Sequence, residues 1–303
     1  MIELLDLQLP SPLESTIWEI EKKRYQIHVK RDDLIHPLVS GNKFRKLSEW
    51  IKYAHDHSIK HLVSEGGLWS NHLLALAALG QQLRFTTSAF IRANEEELQT
   101  SAHAQKLQDL GMQLFPLVRH EFHAAAFRFE AEFGDDKTSL WIPMGGEGEL
   151  GTAGCKQILE ETGYRWDCIW ICAGTGTTAL GLAKALCEAE STAELKVVSA
   201  ISSQDFANGL QEKLNQEYAF AQVILPKGPR FGKFSEEQFN IGQDWYRQTS
   251  ILPDPIYQLK LLEQLGVWLK EKNPNTEARI LFIHTGGLTG WDGFPAFKLR
   301  LGL

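Results

Sequence analysis

The stretch Cys168-Ile169-Trp170-Ile171-Cys172-Ala173-Gly174-Thr175-Gly176-Thr177-Thr178-Ala179-Leu180-Gly181-Leu182 reads as strand, turn and helix in succession. Residues 168–173 form an unbroken apolar run, short and bounded by glycine, which fits a strand buried on both faces. Such strands belong to parallel sheets with helices above and below. The turn carries Gly174 and Gly176, and the helix opens beside the hydroxyls of Thr175, Thr177 and Thr178. Free N–H groups and the positive end of the helix dipole make that turn an anion site, well suited to a phosphate monoester. The same residues satisfy G-x-G-x-x-A, a dinucleotide fingerprint. A dinucleotide needs an acid closing the next strand, and that strand ends Ala200-Ile201-Ser202-Ser203 with Asp205 arriving late. The monoester is preferred, and a nicotinamide-dependent oxidoreductase stays open as the alternative.

Outward from this unit the pattern repeats. Strands are expected at Tyr25–Lys30, Lys60–Ser64, Arg84–Ile91, Met112–Leu117, Ser139–Ile142, Cys168–Cys172, Lys196–Ile201, Gln222–Leu225 and Arg279–His284. Helices are expected near 43–57, 70–80, 95–110, 120–134, 152–163, 177–189, 204–218, 235–249 and 257–272. The alternation predicts an α/β fold built on parallel sheets. Four strands run straight into glycine turns, at Gly66-Gly67, Gly145-Gly146, Gly174-Thr175-Gly176 and Gly286-Gly287. In parallel sheets such turns collect at the carboxyl ends of strands, where ligands bind. The densest glycine cluster, 145–151, is the expected hinge between domains.

A chain of 303 residues predicts about two domains. Its 31 basic against 38 acidic residues give a net charge of −7, without a dense Lys/Arg run, which argues against a nucleic-acid partner. The start, Met1-Ile2-Glu3-Leu4-Leu5-Asp6, is acidic where a signal peptide is basic, and no apolar run is long enough for a transmembrane helix. Cys155, Cys168, Cys172 and Cys187 form no C-x-x-C, and Cys168 and Cys172 share one side of a strand. The expectation is a reducing, cytoplasmic setting with no membrane. No metal is expected either. His57 and His61, or His120 and His123, are spaced as pairs, but neither brings a third ligand. Phe122, Phe129 and Phe133 fit one helical face and read as core.

Two segments break local rules. Ser40-Gly41-Asn42-Lys43-Phe44-Arg45-Lys46-Leu47 places three basic residues at a helix start, where the dipole favours acids. A broken rule points either to a solvated basic helix end or to function. The positive helix end and burial both favour a neutral amine, and a neutral lysine attacks aldehydes to form a Schiff base. In Gly66-Gly67-Leu68-Trp69-Ser70-Asn71-His72, Ser70 and Asn71 are both N-cap candidates. Only one can be the cap, which leaves the other for a ligand.

Taken together, these two segments, Gly174-Thr175-Gly176-Thr177-Thr178, Asp254-Pro255-Ile256-Tyr257 and His284-Thr285-Gly286-Gly287 occur in an order that resembles the 1-aminocyclopropane-1-carboxylate (ACC) deaminase and D-cysteine desulfhydrase family of pyridoxal-phosphate enzymes. The resemblance implies the tryptophan-synthase-β-like fold, fold type II, with two three-layer α/β/α domains. A large cofactor-binding domain would comprise 1–45 and 150–303, with a small domain inserted over 46–149. It implies pyridoxal 5′-phosphate as cofactor, a small amino acid as substrate, and a homodimer. Lys43 matches the lysine that takes the cofactor's aldehyde, and Asn71 the residue beside its phenolic oxygen. Lys46 and the loop Gly174, Thr175, Gly176, Thr177, Thr178 match the phosphate site, and Thr285 the residue facing the pyridine nitrogen. Ser70 and Tyr257 match catalytic residues on the substrate side, with Trp69, Asn71 and His72 also there. The implied activity is a lyase or deaminase releasing a 2-oxo acid and ammonia; a non-catalytic member that keeps the fold is a further alternative. After Tyr257 the chain has Gln258-Leu259-Lys260 where the deaminases carry glutamate then glycine, Trp69 replaces a glutamine, and Leu73-Leu74 replace a Thr-Arg pair. These departures touch substrate recognition more than cofactor binding.

Overall fold

The computed structural model describes residues 5–275 and 277–303. It contains two units, one formed by His36–Gly154 with residues 5–7, the other by Gln8–Ile35 with Cys155–Leu303.

The first unit is built on a wholly parallel four-stranded sheet in the order β5-β4-β3-β6, with β3 at His61–Gly67, β4 at Thr86–Arg92, β5 at Met112–Leu117 and β6 at Ser139–Ile142. On one face Val63 and Phe90 pack with Phe122, Ala125 and Phe129, so the expected phenylalanine stripe is core. It is carried by a 3-10 turn, Phe122–Ala124, followed by α5 (Ala125–Phe133), rather than by one helix. Helices α1 (Asn42–Asp56) and α2 (Asn71–Leu83) belong to the same unit, and α2 buries an almost continuous run from His72 to Gly80. The helix expected over 95–110 is two, α3 (Glu95–Thr100) and α4 (Ala102–Asp109). Ser101 is extended and caps α4 by accepting from Ala104 N, so the cap wins over continued helix. The last helix of the unit, α6, runs Glu149–Thr162 and passes the boundary at Gly154.

The second unit holds a six-stranded sheet in the order β1-β2-β10-β7-β8-β9. Its strands are β1 (Leu13–Ile20), β2 (Lys23–Arg31), β7 (Cys168–Ala173), β8 (Glu194–Ser199), β9 (Ala221–Ile224) and β10 (Ile280–His284). Alternate residues of β7 feed two cores. Ile169, Ile171 and Ala173 pack with α7 (Thr177–Glu188) and α8 (Gln204–Glu217). Cys168, Trp170 and Cys172 pack with α9 (Glu236–Thr249) and α10 (Gln258–Lys272). The sheet is therefore covered on both faces, as the apolar run required. Burial pushes the Cys168 thiol up to about 12, consistent with its expected place in the core.

Every strand expected from sequence is present, and one was missed. β1 pairs with β2 antiparallel through a two-residue turn in which Glu21 and Lys22 both have positive φ, 51° and 68°. Such turns are usually signalled by Asn-Gly or Asp-Gly, and Glu-Lys carries no such signal. A short helix, α11 (Pro295–Arg300), was likewise missed.

Candidate active site

In the first unit, α1 begins at Asn42 after Gly41, whose φ of 65° and ψ of −147° suit glycine. No side chain caps this end and its first turn holds no acid. Lys43 is half buried, with Nζ 2.8 Å from Asn42 Oδ1. Arg45 and Lys46 are buried, at 0% and 4% exposed, so the basic helix start is not a solvated one.

Strand β3 leads to α2 through the second segment. Ser70 is the N-cap, its hydroxyl accepting from Leu73 N, which leaves Asn71 as the first helical residue. Gly66 is required beneath this cap: a Cβ there would stand 2.8 Å from Ser70 Oγ. His72 points inward, its Nε2 2.9 Å from Ser64 Oγ. Burial, with the charges of Lys43 and Lys46, holds its imidazole down to about 3, so it is neutral. Trp69 is 57% exposed with its ring 5.8 Å from that of His103, so it belongs to no core.

In the second unit, Gly176 has φ 91° at the N-cap of α7, and a Cβ there would meet Leu210 Cδ1 at 2.5 Å. With glycine as cap, the cap residue has no side chain to bond the first N–H groups of the helix. Thr175 and Thr177 hydroxyls are 3.0 Å apart, and Thr177 and Thr178 are buried. Gly174 lies against Tyr257: a Cβ would be 3.3 Å from its Cε1 and its hydroxyl oxygen.

Tyr257 is placed by Asp254, whose carboxylate accepts from the backbone N–H groups of Ile256, Tyr257 and Gln258 at 2.9 Å each. Gln258 donates from Nε2 to Thr285 Oγ1 at 3.1 Å, so the neighbour of Thr285 is an uncharged amide. His284 is buried and bonded to Leu252 O at 2.8 Å, a backbone role at the end of β10. Sequence reasoning gave no role to Ser64 or to the Asp254 turn. Ser64 acts through partners distant in sequence, whereas the Asp254 bonds are local and could have been read from an acid placed just before a helix start.

Asp254 makes a pH prediction. Burial pushes its carboxyl up to about 6 from an ordinary 3.8, against the opposing pull of its backbone donors. The folded chain then holds this proton where the unfolded chain has lost it, so Asp254 lowers stability as pH rises from about 4 to 6, by on the order of 2–3 kcal/mol. Above pH 6 the contribution is constant. Urea midpoints compared across this window for wild type and Asp254→Asn show the variant without that fall. Parallel curves would contradict the assignment.

Among the described residues no helix is long and apolar enough to cross a membrane, and no three His, Cys, Asp or Glu side chains are grouped to hold a metal. A family model described as pyridoxal-phosphate dependent enzyme matches residues 5–243. The chain belongs to that family. Its cofactor is pyridoxal phosphate and the protein is an enzyme, which displaces the nicotinamide reading of Gly174–Ala179. The chain is 28% identical to a putative 1-aminocyclopropane-1-carboxylate deaminase of Thermotoga maritima, over 94% of this chain and 96% of the relative. It is 26% identical to the mitochondrial bifunctional D-cysteine desulfhydrase/1-aminocyclopropane-1-carboxylate deaminase of Arabidopsis thaliana, over 93% and 77%. Among solved structures, an ACC deaminase homologue superposes with a TM-score of 0.78 at 20% identity, covering 99% of this chain and 98% of the other. The processed threonine deaminase isoform 2 of Solanum lycopersicum gives 0.72 at 13%, covering 99% and 85%. The fold is the α/β, tryptophan-synthase-β-like fold type II of these enzymes.

Proposed function

We propose that the protein is a pyridoxal-phosphate lyase or deaminase acting on a small amino acid, releasing pyruvate or another 2-oxo acid and ammonia. The observation that carries this reading is the half-buried Lys43 in the uncapped first turn of α1, an amine in a place where a permanent cation is disfavoured. The family membership and the two curated relatives support it.

The residues fit the cofactor. The uncapped start of α7, with its buried threonine hydroxyls, is a donor set that matches a phosphate. The unpartnered Oε1 of Gln258 and Nδ1 of His72 mark polar ground in both units. When bound, pyridoxal phosphate supplies an aldehyde for amines and an electron sink for the α-carbon.

Lys43 Nζ would hold that aldehyde and would serve as the base for the substrate's α-proton. Asn71 would serve the phenolic oxygen. Lys46, Gly174, Thr175, Gly176, Thr177 and Thr178 would hold the phosphate, and Thr285 would serve the pyridine nitrogen. Ser70, Asn71 and His72 serve the substrate carboxylate at the start of α2, His72 through its main-chain N–H because its ring is buried. Trp69 lies on the same side, and the Tyr257 hydroxyl moves a proton at the substrate's far carbon. We place the small domain at 46–149 and the large one at 1–45 with 150–303, and the enzyme in the cytoplasm as a homodimer, for which sedimentation at twice the chain mass is the test.

The neutral Gln258–Thr285 pair puts no carboxylate beside Thr285, which favours loss of a β-thiol over opening of a cyclopropane ring. Holoenzyme assayed for pyruvate and ammonia with D-cysteine, D-serine, L-serine and the cyclopropane acid shows D-cysteine ahead of the cyclopropane acid by at least about tenfold in kcat/KM. No product from any of the four would favour the non-catalytic alternative.

A further inference from the structure

Three buried side-chain atoms among the described residues have no hydrogen-bond partner, and one of them, Nδ1 of His72, lies in the unit that carries Lys43 and Lys46. The hydrogen bonds around its ring fix the tautomer. Ser64 Oγ has one proton, and it donates that proton to Ile142 O at 2.7 Å, since a carbonyl has none to give. The 2.9 Å contact between Ser64 Oγ and His72 Nε2 must therefore take its proton from the ring. Assigned in this way, the neutral imidazole carries its hydrogen on Nε2, and Nδ1 is a bare acceptor. A buried acceptor without a donor is costly, and native structures seldom keep one without use.

The surroundings point to the donor. A Cβ on Gly146 would stand 3.1 Å from Lys46 Cβ, 3.8 Å from Lys46 Cδ and 3.8 Å from His72 Cε1, the ring carbon between Nδ1 and Nε2. The Lys46 stem and the His72 ring carbon next to Nδ1 thus both come within 4 Å of one point over Gly146. Gly146 has φ 72°, and its carbonyl accepts from Trp50 Nε1 on α1 at 3.4 Å, so this glycine backbone is held close against the Lys46 stem and the ring. Lys46 is buried and offers three donors. Its ring neighbour is neutral and adds no competing charge.

We propose that His72 is a positioning residue for Lys46: in the cofactor-loaded protein Nδ1 accepts from Lys46 Nζ, aims that ammonium, and so sets the affinity for the phosphate it holds. Ser64 acts one step further back, by holding the tautomer. This inference rests on the reading of Lys46 as a phosphate-holding residue. Neither His72 nor Ser64 touches the reacting atoms through its side chain.

The test compares two ligands that differ only in the phosphate. Full-length protein freed of cofactor is titrated with pyridoxal phosphate and with pyridoxal, for wild type, Lys46→Met, His72→Leu, His72→Asn and Ser64→Ala, with melting curves for each. Lys46→Met reports on the underlying reading, and weakens pyridoxal phosphate strongly while leaving pyridoxal nearly unchanged. His72→Leu raises the Kd for pyridoxal phosphate about tenfold and that for pyridoxal less than twofold. Ser64→Ala falls between, and His72→Asn, which keeps an acceptor at the δ position, restores most of the difference. A purely structural histidine would weaken both ligands alike or neither. That result in a protein where Lys46→Met still separates the two ligands overturns the role of His72 and leaves the reading of Lys46 standing. A Lys46→Met protein that binds both ligands as wild type does overturns both. If His72→Leu does not fold, Ser64→Ala against His72→Asn carries the same comparison.

Discussion

Lys43→Ala lowers kcat by at least about 10³-fold and removes the absorbance band of the lysine-bound cofactor. The expected size follows from the two duties of one amine, holding the aldehyde and moving the α-proton, since acid–base catalysis alone contributes about 10²–10⁴-fold. The substitution should cost little in stability. The side chain is half buried, and its bond to Asn42 Oδ1 is made at an otherwise uncapped helix end. Activity measured alongside melting temperature separates the outcomes: a variant that melts like wild type yet keeps its band would remove Lys43 from the chemistry.

The second large effect lies at a residue without chemistry. Gly154, in α6, lies directly against α1: a Cβ there would be 2.0 Å from Arg45 O and 2.9 Å from Ser48 Oγ, which itself donates to that carbonyl at 2.8 Å. Backbone cannot yield as a flexible side chain can, so Gly154→Ala moves one of the two helices. The cost is about 3 kcal/mol, a fall of roughly 5–10 °C in melting temperature. Because α1 carries Lys43 and Lys46, cofactor affinity falls with it. Gly209, inside α8, has nothing within 4 Å of its Cβ position, and Gly209→Ala is expected to be neutral or stabilising by about 0.5–1 kcal/mol. Equal melting temperatures for the two alanine variants would contradict the packing argument.

What could be read from the chain alone was local. Residues 168–182 announce strand, turn and helix because apolar run, glycine and hydroxyl follow one another within one unit of structure. The basic start of α1 was legible because it breaks a rule of helix electrostatics within four residues. The edge strand β1 was missed because Glu21-Lys22 lacks the glycine that usually marks such a turn, and the split at Ser101 because one serine serves as cap inside a helical pattern. Within the site, Ser64 and His72 are eight residues apart and meet only because β3 and α2 return on each other. Gln258 and Thr285 are joined across 27 residues, and Gly154 and Arg45 across more than a hundred. Tautomers, buried acceptors and close approaches of backbone arise from tertiary packing, and no spacing rule encodes them.

The most direct measurement is reductive trapping. Holoenzyme treated with borohydride, digested and mapped by mass spectrometry should carry the pyridoxyl group on the peptide containing Asn42-Lys43-Phe44, with fragmentation placing it on Lys43. A label on Lys46, on Lys260 or on any other amine, with Lys43 unmodified, would contradict the assignment on which the rest depends.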